Sequence, residues 1–185
     1  MASGLSFKMD MLPENIRGLL SFFAPSPKGL LPEQQSVRPY NNPGNLKRSQ
    51  NWAGMIPGGY GKNNDFAIFD SPQMGLRALM RDVTSKIKNQ KGDLRKMISR
   101  FAPKSENPTD NYYEYVLSKV GKNKVTTKDL PNIVKGIVEF ENTPGSDKSK
   151  MYLDPSVFNE ALKLSKKSMP EKTSLSEARK IIKGG

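Results

Sequence analysis

The stretch KDLPNIVKGIVEFENTPG, residues 128 to 145, sets Leu130, Ile133, Val134, Ile137 and Val138 at helical spacing. That pattern predicts an amphipathic helix from about Lys128 to Glu141. One polar residue breaks the apolar stripe. Glu141 lies four positions after Ile137 and seven after Val134, so it shares their face, whereas Glu139 stacks over Lys135 and Gly136 on the polar side. A carboxylate at the inner, C-terminal end of such a helix has its pKa raised by desolvation and by the negative end of the helix dipole. A general acid acting on a glycosidic oxygen needs that property. The same position also suits the start of an exit loop, with the carboxylate bonded to nearby N–H groups or to a lysine.

Composition narrows the chemistry further. The 185 residues contain no histidine and no cysteine, which excludes His-based triads, the common zinc sites, thiolate chemistry and disulfides. Catalysis here rests on carboxylates, Lys, Tyr or hydroxyls. No D-x-[DN]-x-[DN]-G loop offers an all-oxygen metal site, so neither a metal nor another cofactor is expected. Thirty Lys and Arg against 18 Asp and Glu give a formal charge of +12, which favours encounter with nucleic acid, an anionic membrane surface or bacterial cell wall.

The length suits one domain with tails. Residues 1–37 read as an appendage: a short amphipathic helix with Ile16, Leu19, Leu20 and Phe23, then the Pro-rich run APSPKGLLPEQQ. This appendage either pads the domain or docks by its apolar face on a partner or a membrane surface. The N-terminus does not read as a signal peptide and no run is long enough to span a bilayer. Synthesis in the cytoplasm, with any exit by another route, is the expectation.

The domain itself is expected over 38–145. Phe66, Ile68 and Phe69 suit a small hairpin. Asp70 or Ser71 with Pro72 opens a helix over 72–89, carrying Leu76, Leu79, Met80, Val83 and Ile87 inward. Asp93 opens a shorter helix with Leu94, Met97, Ile98 and Phe101, ended by Pro103. Thr109 caps the next, with Tyr113, Val116, Leu117 and Val120 inward and Gly121 at its end. Residues 146–185 read as a Lys-rich helical tail, with one helix started by Asp154 or Ser156 and another by the capping box of Ser174 and Glu177. The fold class is mainly α, of α+β type, with short helices clustered beside one hairpin.

The loop RPYNNPGNLKRSQNWAG, residues 38–54, precedes all of this. Asn41, Asn42 and Asn45 offer amide donors and acceptors to glycan hydroxyl and N-acetyl groups, Pro43 and Gly44 set a turn, and Trp52 offers a face to a sugar ring. Asparagines bonded to their own backbone, with Trp52 in the core, fit the same letters. Lys47, Arg48 and Lys62 flank this proposed cleft and suit the carboxylates of wall peptides.

The runs NNPGNLKRSQNWAG, FAIFDSPQMGLRAL and ISRFAPKSENPTDNYYEYV resemble a family of small bacteriophage proteins described as virion-associated or lytic cell-wall enzymes. The resemblance covers about 38–142. The first two runs also resemble the segment that follows the catalytic glutamate in flagellar-type glucosaminidases, and IVEFEN is similar to the catalytic helix of phage lysozymes, where EFEG stands in place of EFEN. In those relatives the glutamate helix comes before the loop. The resemblance therefore implies a circularly permuted lysozyme-like fold and cleavage of peptidoglycan glycan strands, by a muramidase, a glucosaminidase or a lytic transglycosylase.

On this reading Glu141 is the expected acid, Glu106 in SENPTDNYY its rival, and Asp65 on the hairpin the second carboxylate. Glu33 precedes the loop in the order unpermuted relatives have, in a segment without helical pattern. Asn41, Asn42, Asn45, Trp52, Tyr60 and Tyr113 form the expected substrate-binding set. Without a second carboxylate, the chemistry becomes transglycosylation by the sugar's own C6 hydroxyl. The competing expectation is a non-enzymatic virion protein that binds DNA or another polyanion through its basic surface, with steep salt dependence.

Overall fold

A computed structural model describes residues 40–184 apart from 49, 62, 106–108 and 170–172. The expectations placed on 1–37, Glu33, Lys62 and Glu106 therefore lie outside the described residues. In chain order the elements are β1 (Met55–Tyr60), β2 (Phe66–Phe69), α1 (Pro72–Asn89), α2 (Leu94–Phe101), α3 (Thr109–Val120), a 3-10 turn (Thr127–Asp129), α4 (Leu130–Asn142), α5 (Asp147–Leu153), α6 (Pro155–Ser165) and α7 (Leu175–Lys183). The molecule is mainly helical with one small antiparallel hairpin, an α+β arrangement. No helix among the described residues is long and apolar enough to cross a membrane.

Helix α1 is the centre of the core. Ser71 caps it, its hydroxyl accepting from Met74 N at 3.3 Å, and Pro72 occupies the first turn where its missing N–H costs nothing. Met74, Leu76, Leu79, Met80 and Val83 along it are wholly buried, together with Ile133, Val134, Ile137 and Val138 of α4. Asp93 caps α2 through Lys96 N at 3.0 Å. Thr109 is the first helical residue of α3, and its hydroxyl donates to Ala102 O at 2.7 Å, tying α3 back to the end of α2.

In the hairpin, Met55 pairs with Phe69, Ile56 with Ile68 and Tyr60 with Phe66, with an irregularity between Ile56 and Tyr60. Ala67 and Phe69 face the core, while Phe66 and Ile68 are half-buried. A strand of period two buries one set only, and the small Ala67 shares its inward set with Phe69.

The segment after 145 is part of this core and not peripheral to it. Tyr152, Phe158, Ala161, Leu164 and Ala178 belong to the same apolar cluster as α1 and α4. Asp154 caps α6 by accepting from Ser156 N at 2.9 Å, and Ser174 with Glu177 closes the anticipated capping box on α7. The many lysines here belong to outward faces of helices whose other face is apolar, which is why charge content alone suggested a tail. Helix α5, the short element before α6, had no apolar period long enough to announce it.

Candidate active site

The loop at 40–54 docks on α1 because Gly75 lets it. A β-carbon at Gly75 would stand 1.7 Å from Asn41 O, so only a residue without a side chain permits this approach. Asn41 and Asn45 both have positive φ, of 49° and 48°, a region that asparagine tolerates better than most residues.

The three asparagines then divide their labour. Asn41 and Asn42 are buried, and their side chains serve the protein backbone. Asn41 Nδ2 donates to Phe69 O at 3.1 Å. Asn42 Nδ2 donates to Leu46 O at 3.0 Å and to Ala67 O at 2.9 Å, and its Oδ1 accepts from Leu46 N at 2.8 Å. Both were expected as substrate ligands, and the structure uses them to fix the loop on β2. Loop carbonyls buried this far from water require such donors. Asn45 alone faces the cleft, where Nδ2 donates to Glu141 Oε2 at 2.7 Å and Oδ1 accepts from Tyr60 OH at 2.8 Å.

Glu141 is half-buried on the last turn of α4. Its second oxygen, Oε1, accepts from Tyr112 OH at 2.9 Å. Burial raises its pKa above the ordinary 4.5, and the donated bonds from Tyr112 and Asn45 oppose that rise without cancelling it. Neither partner is a cation. The alternative of an exit-loop carboxylate bonded to backbone or lysine is not the geometry observed, whereas Glu139 does take the lysine, with Lys119 Nζ at 2.7 Å and Tyr115 OH at 2.9 Å.

The neighbouring Asn142 locks helix to loop. Its Nδ2 donates to Pro43 O and to Val138 O, both at 2.9 Å. The turn of the loop and the end of α4 are thus fixed to one another one residue from the candidate acid.

Glu141, Asn45 and Trp52 line a cleft of about 330 Å³ together with Gly44, Lys47, Phe66, Lys86 and Phe101. The cleft's other described carboxylate is Asp82. It is 6% exposed and gripped by Lys86 Nζ at 2.5 and 2.6 Å to its two oxygens. Asp65 is outside the cleft lining. It is exposed on a separate surface depression with Lys47, Arg48 and Asn64. Lys47 reaches the cleft, with its ammonium 4.7 Å from the Phe66 ring centroid, while Arg48 Nη1 donates to Asn64 O at 3.3 Å.

Tyr60 joins the site through its hydroxyl and stacks on Tyr40 with centroids 4.0 Å apart. Tyr113 does not join it. Its ring lies under the Arg95 guanidinium at 3.9 Å, and its hydroxyl donates to Asn123 at 3.4 Å. The residue that does reach Glu141 is its neighbour Tyr112, fully buried and stacked on Phe140 with centroids 4.0 Å apart. Adjacent helical positions point about 100° apart, so choosing Tyr113 in NYYEY selected the wrong side of α3. The readable signal was Tyr112 standing four residues before Val116. Among the described residues no group of three or more acidic side chains converges on one point.

No family model matches the chain. Over 108 residues it is 30% identical to Protein P5 of Pseudoalteromonas phage PM2, an alignment that takes in 55% of this chain and 68% of that protein.

Proposed function

The chain belongs to the family of Protein P5 of Pseudoalteromonas phage PM2, and from that bacteriophage setting we propose that it cleaves the glycan strands of bacterial peptidoglycan, in lysis or in wall penetration on infection. The observation that supports this reading is Glu141: a half-buried carboxylate on a cleft, held by two neutral donors, with its pKa raised by burial.

Burial moves the Glu141 carboxyl towards the protonated form, the direction a general acid requires. In the proposed reaction Glu141 gives its proton to the glycosidic oxygen as the C1–O bond breaks. The resulting carboxylate then takes the proton of the same sugar's C6 hydroxyl, whose oxygen forms the new bond to C1. The product is a 1,6-anhydro sugar, no water is consumed, and Glu141 returns to its starting state. Tyr112 and Asn45 favour the ionised form, so they stabilise the intermediate in which Glu141 has lost its proton.

Transglycosylation is preferred to hydrolysis because of Asp82. A second acid would have to position water or stabilise an oxocarbenium-like carbon, and the second described carboxylate of the cleft is held by Lys86. Trp52 and Phe66 offer apolar faces for sugar rings, and Lys47 offers a charge to the carboxylates of the stem peptides.

Turbidity loss on purified peptidoglycan, followed for the wild type, Glu141→Gln and Glu106→Gln with circular dichroism as the folding control, tests the proposal. Clearing by the wild type and by Glu106→Gln, with none by Glu141→Gln, is expected. A folded wild type that clears no wall type rejects the enzyme reading and directs attention to salt-dependent polyanion binding.

A further inference from the structure

Trp52 also lines a second cavity, of about 290 Å³. Its described lining is Asn51, Trp52, Ala53, Arg77, Arg81 and Met169. Two of these six are arginines and none is acidic.

Arg77 is the anomaly. It projects from α1 and is only 5% exposed, yet its Nε has no hydrogen-bond partner and the side chain forms no ion pair among the described residues. An arginine keeps its charge and presents five N–H donors, so burial without an acceptor is costly. Arg81 stands one helical turn further along and faces the same cavity, with Nη1 donating to Ser165 O at 3.3 Å. The two like charges repel, and burial together with Arg81 lowers the Arg77 pKa. Nothing in the described lining offsets either charge. A second donor is also unmet, because Trp52 Nε1 is buried without a partner.

Two arginines on one cavity, with Trp52 beside them and no carboxylate in the described lining, suit one kind of occupant. We infer that Arg77 and Arg81, with Trp52 as a wall, form a binding site for a small oxyanion, a carboxylate or phosphate group. Guanidinium matches either one through paired N–H bonds. The site does not depend on the glycan reading. If that reading holds, Trp52 is the wall shared by both spaces, and the anionic group belongs to the strand lying in the cleft.

The chain contains a single tryptophan, so its indole N–H resonance comes from the wall shared by the two spaces, and the comparison with Arg77→Met assigns a response to this cavity. The full chain is titrated at constant ionic strength with inorganic phosphate, with acetate and with N-acetylmuramyl dipeptide, with sodium chloride as the control. Wild type, Arg77→Met and Glu171→Gln are compared. Saturable movement of the indole resonance with an oxyanion but not with chloride, and at least tenfold weaker binding by Arg77→Met, is the expected result. Arg77→Met removes an uncompensated charge and keeps the apolar stem, so it should fold. Its melting temperature in the absence of oxyanion should equal or exceed that of the wild type.

A preference for the dipeptide over phosphate assigns the carboxylate source, and the reverse assigns the phosphate. No saturable response to any of the three overturns the proposal. So does a tenfold gain in oxyanion affinity by Glu171→Gln, because the arginines would then serve that carboxylate of the same chain. Loss of wall clearing with the indole response intact would reject only the glycan reading.

Discussion

Asn45 Nδ2 donates to Glu141 Oε2 at 2.7 Å, across 96 positions of sequence. That one bond joins the asparagine loop to the end of α4, and Asn142 repeats the join one residue later through Pro43 O at 2.9 Å. The loop and the helix are thereby two walls of one site. In chain order the loop comes first and the candidate acid last.

Replacing Glu141 by Gln should reduce glycan cleavage by at least about 100-fold, the lower end of what a positioned acid contributes. The same variant should be more stable than the wild type at neutral pH. The sign follows from the raised pKa: the folded state holds the proton more tightly, so this group's stabilisation is complete below the ordinary 4.5 and is lost as pH rises through the folded-state value. Denaturant midpoints for the two proteins should therefore converge as pH falls towards 4 and separate above it.

Tyr112→Phe removes a donor that favours the ionised carboxylate. The alkaline limb of the activity profile should move to higher pH, because the acid holds its proton longer. A turnover loss of about tenfold is expected, consistent with ~1.5 kcal/mol for a hydrogen bond to a charged group. A pH series of initial rates measures both, and a limb that stays in place would remove Tyr112 from any part in setting the proton affinity of Glu141.

These partners differ in how readily sequence reveals them. The position of Glu141 on the apolar face followed from its spacing to Val134 and Ile137, because a helix converts spacing into direction. The cap at Asp93 and the box of Ser174 and Glu177 followed from equally local rules. Asn41, Asn42 and Asn45 did not separate, since the same amide serves a buried carbonyl or an open cleft, and only the packing of the loop against Gly75 and β2 decides which. Tyr112 and Tyr113 are adjacent and chemically identical, so the choice between them rested on the position of α4. The pairing of Asp82 with Lys86 was visible as a four-residue step, but its burial was not.

Asp82→Asn should cost on the order of 2 to 3 kcal/mol. That is below the ~3–5 kcal/mol seen on breaking a fully buried pair, because the Lys86 side chain keeps 21% of its exposure. Cleavage measured below the lowered melting temperature should persist. A folded Asp82→Asn protein without activity would make Asp82 a second catalytic carboxylate and restore hydrolysis.

Gly75→Ala tests the docking of the loop. The added carbon would collide with backbone at Asn41 O, which no rotamer change relieves, and a loss of about 3 kcal/mol or more is expected from overpacking. Thermal unfolding gives the first number. The same substitution should displace Asn45 from Glu141 and lower turnover even at temperatures where the variant is folded.

The most direct measurement is mass analysis of the fragments released from purified peptidoglycan by the wild type and by Glu141→Gln. A single-acid site built on Glu141 predicts muropeptides ending in 1,6-anhydro sugars from the wild type and none from the variant. Reducing ends from the wild type would contradict transglycosylation, and equal release by a folded Glu141→Gln protein would contradict the assignment of Glu141 itself.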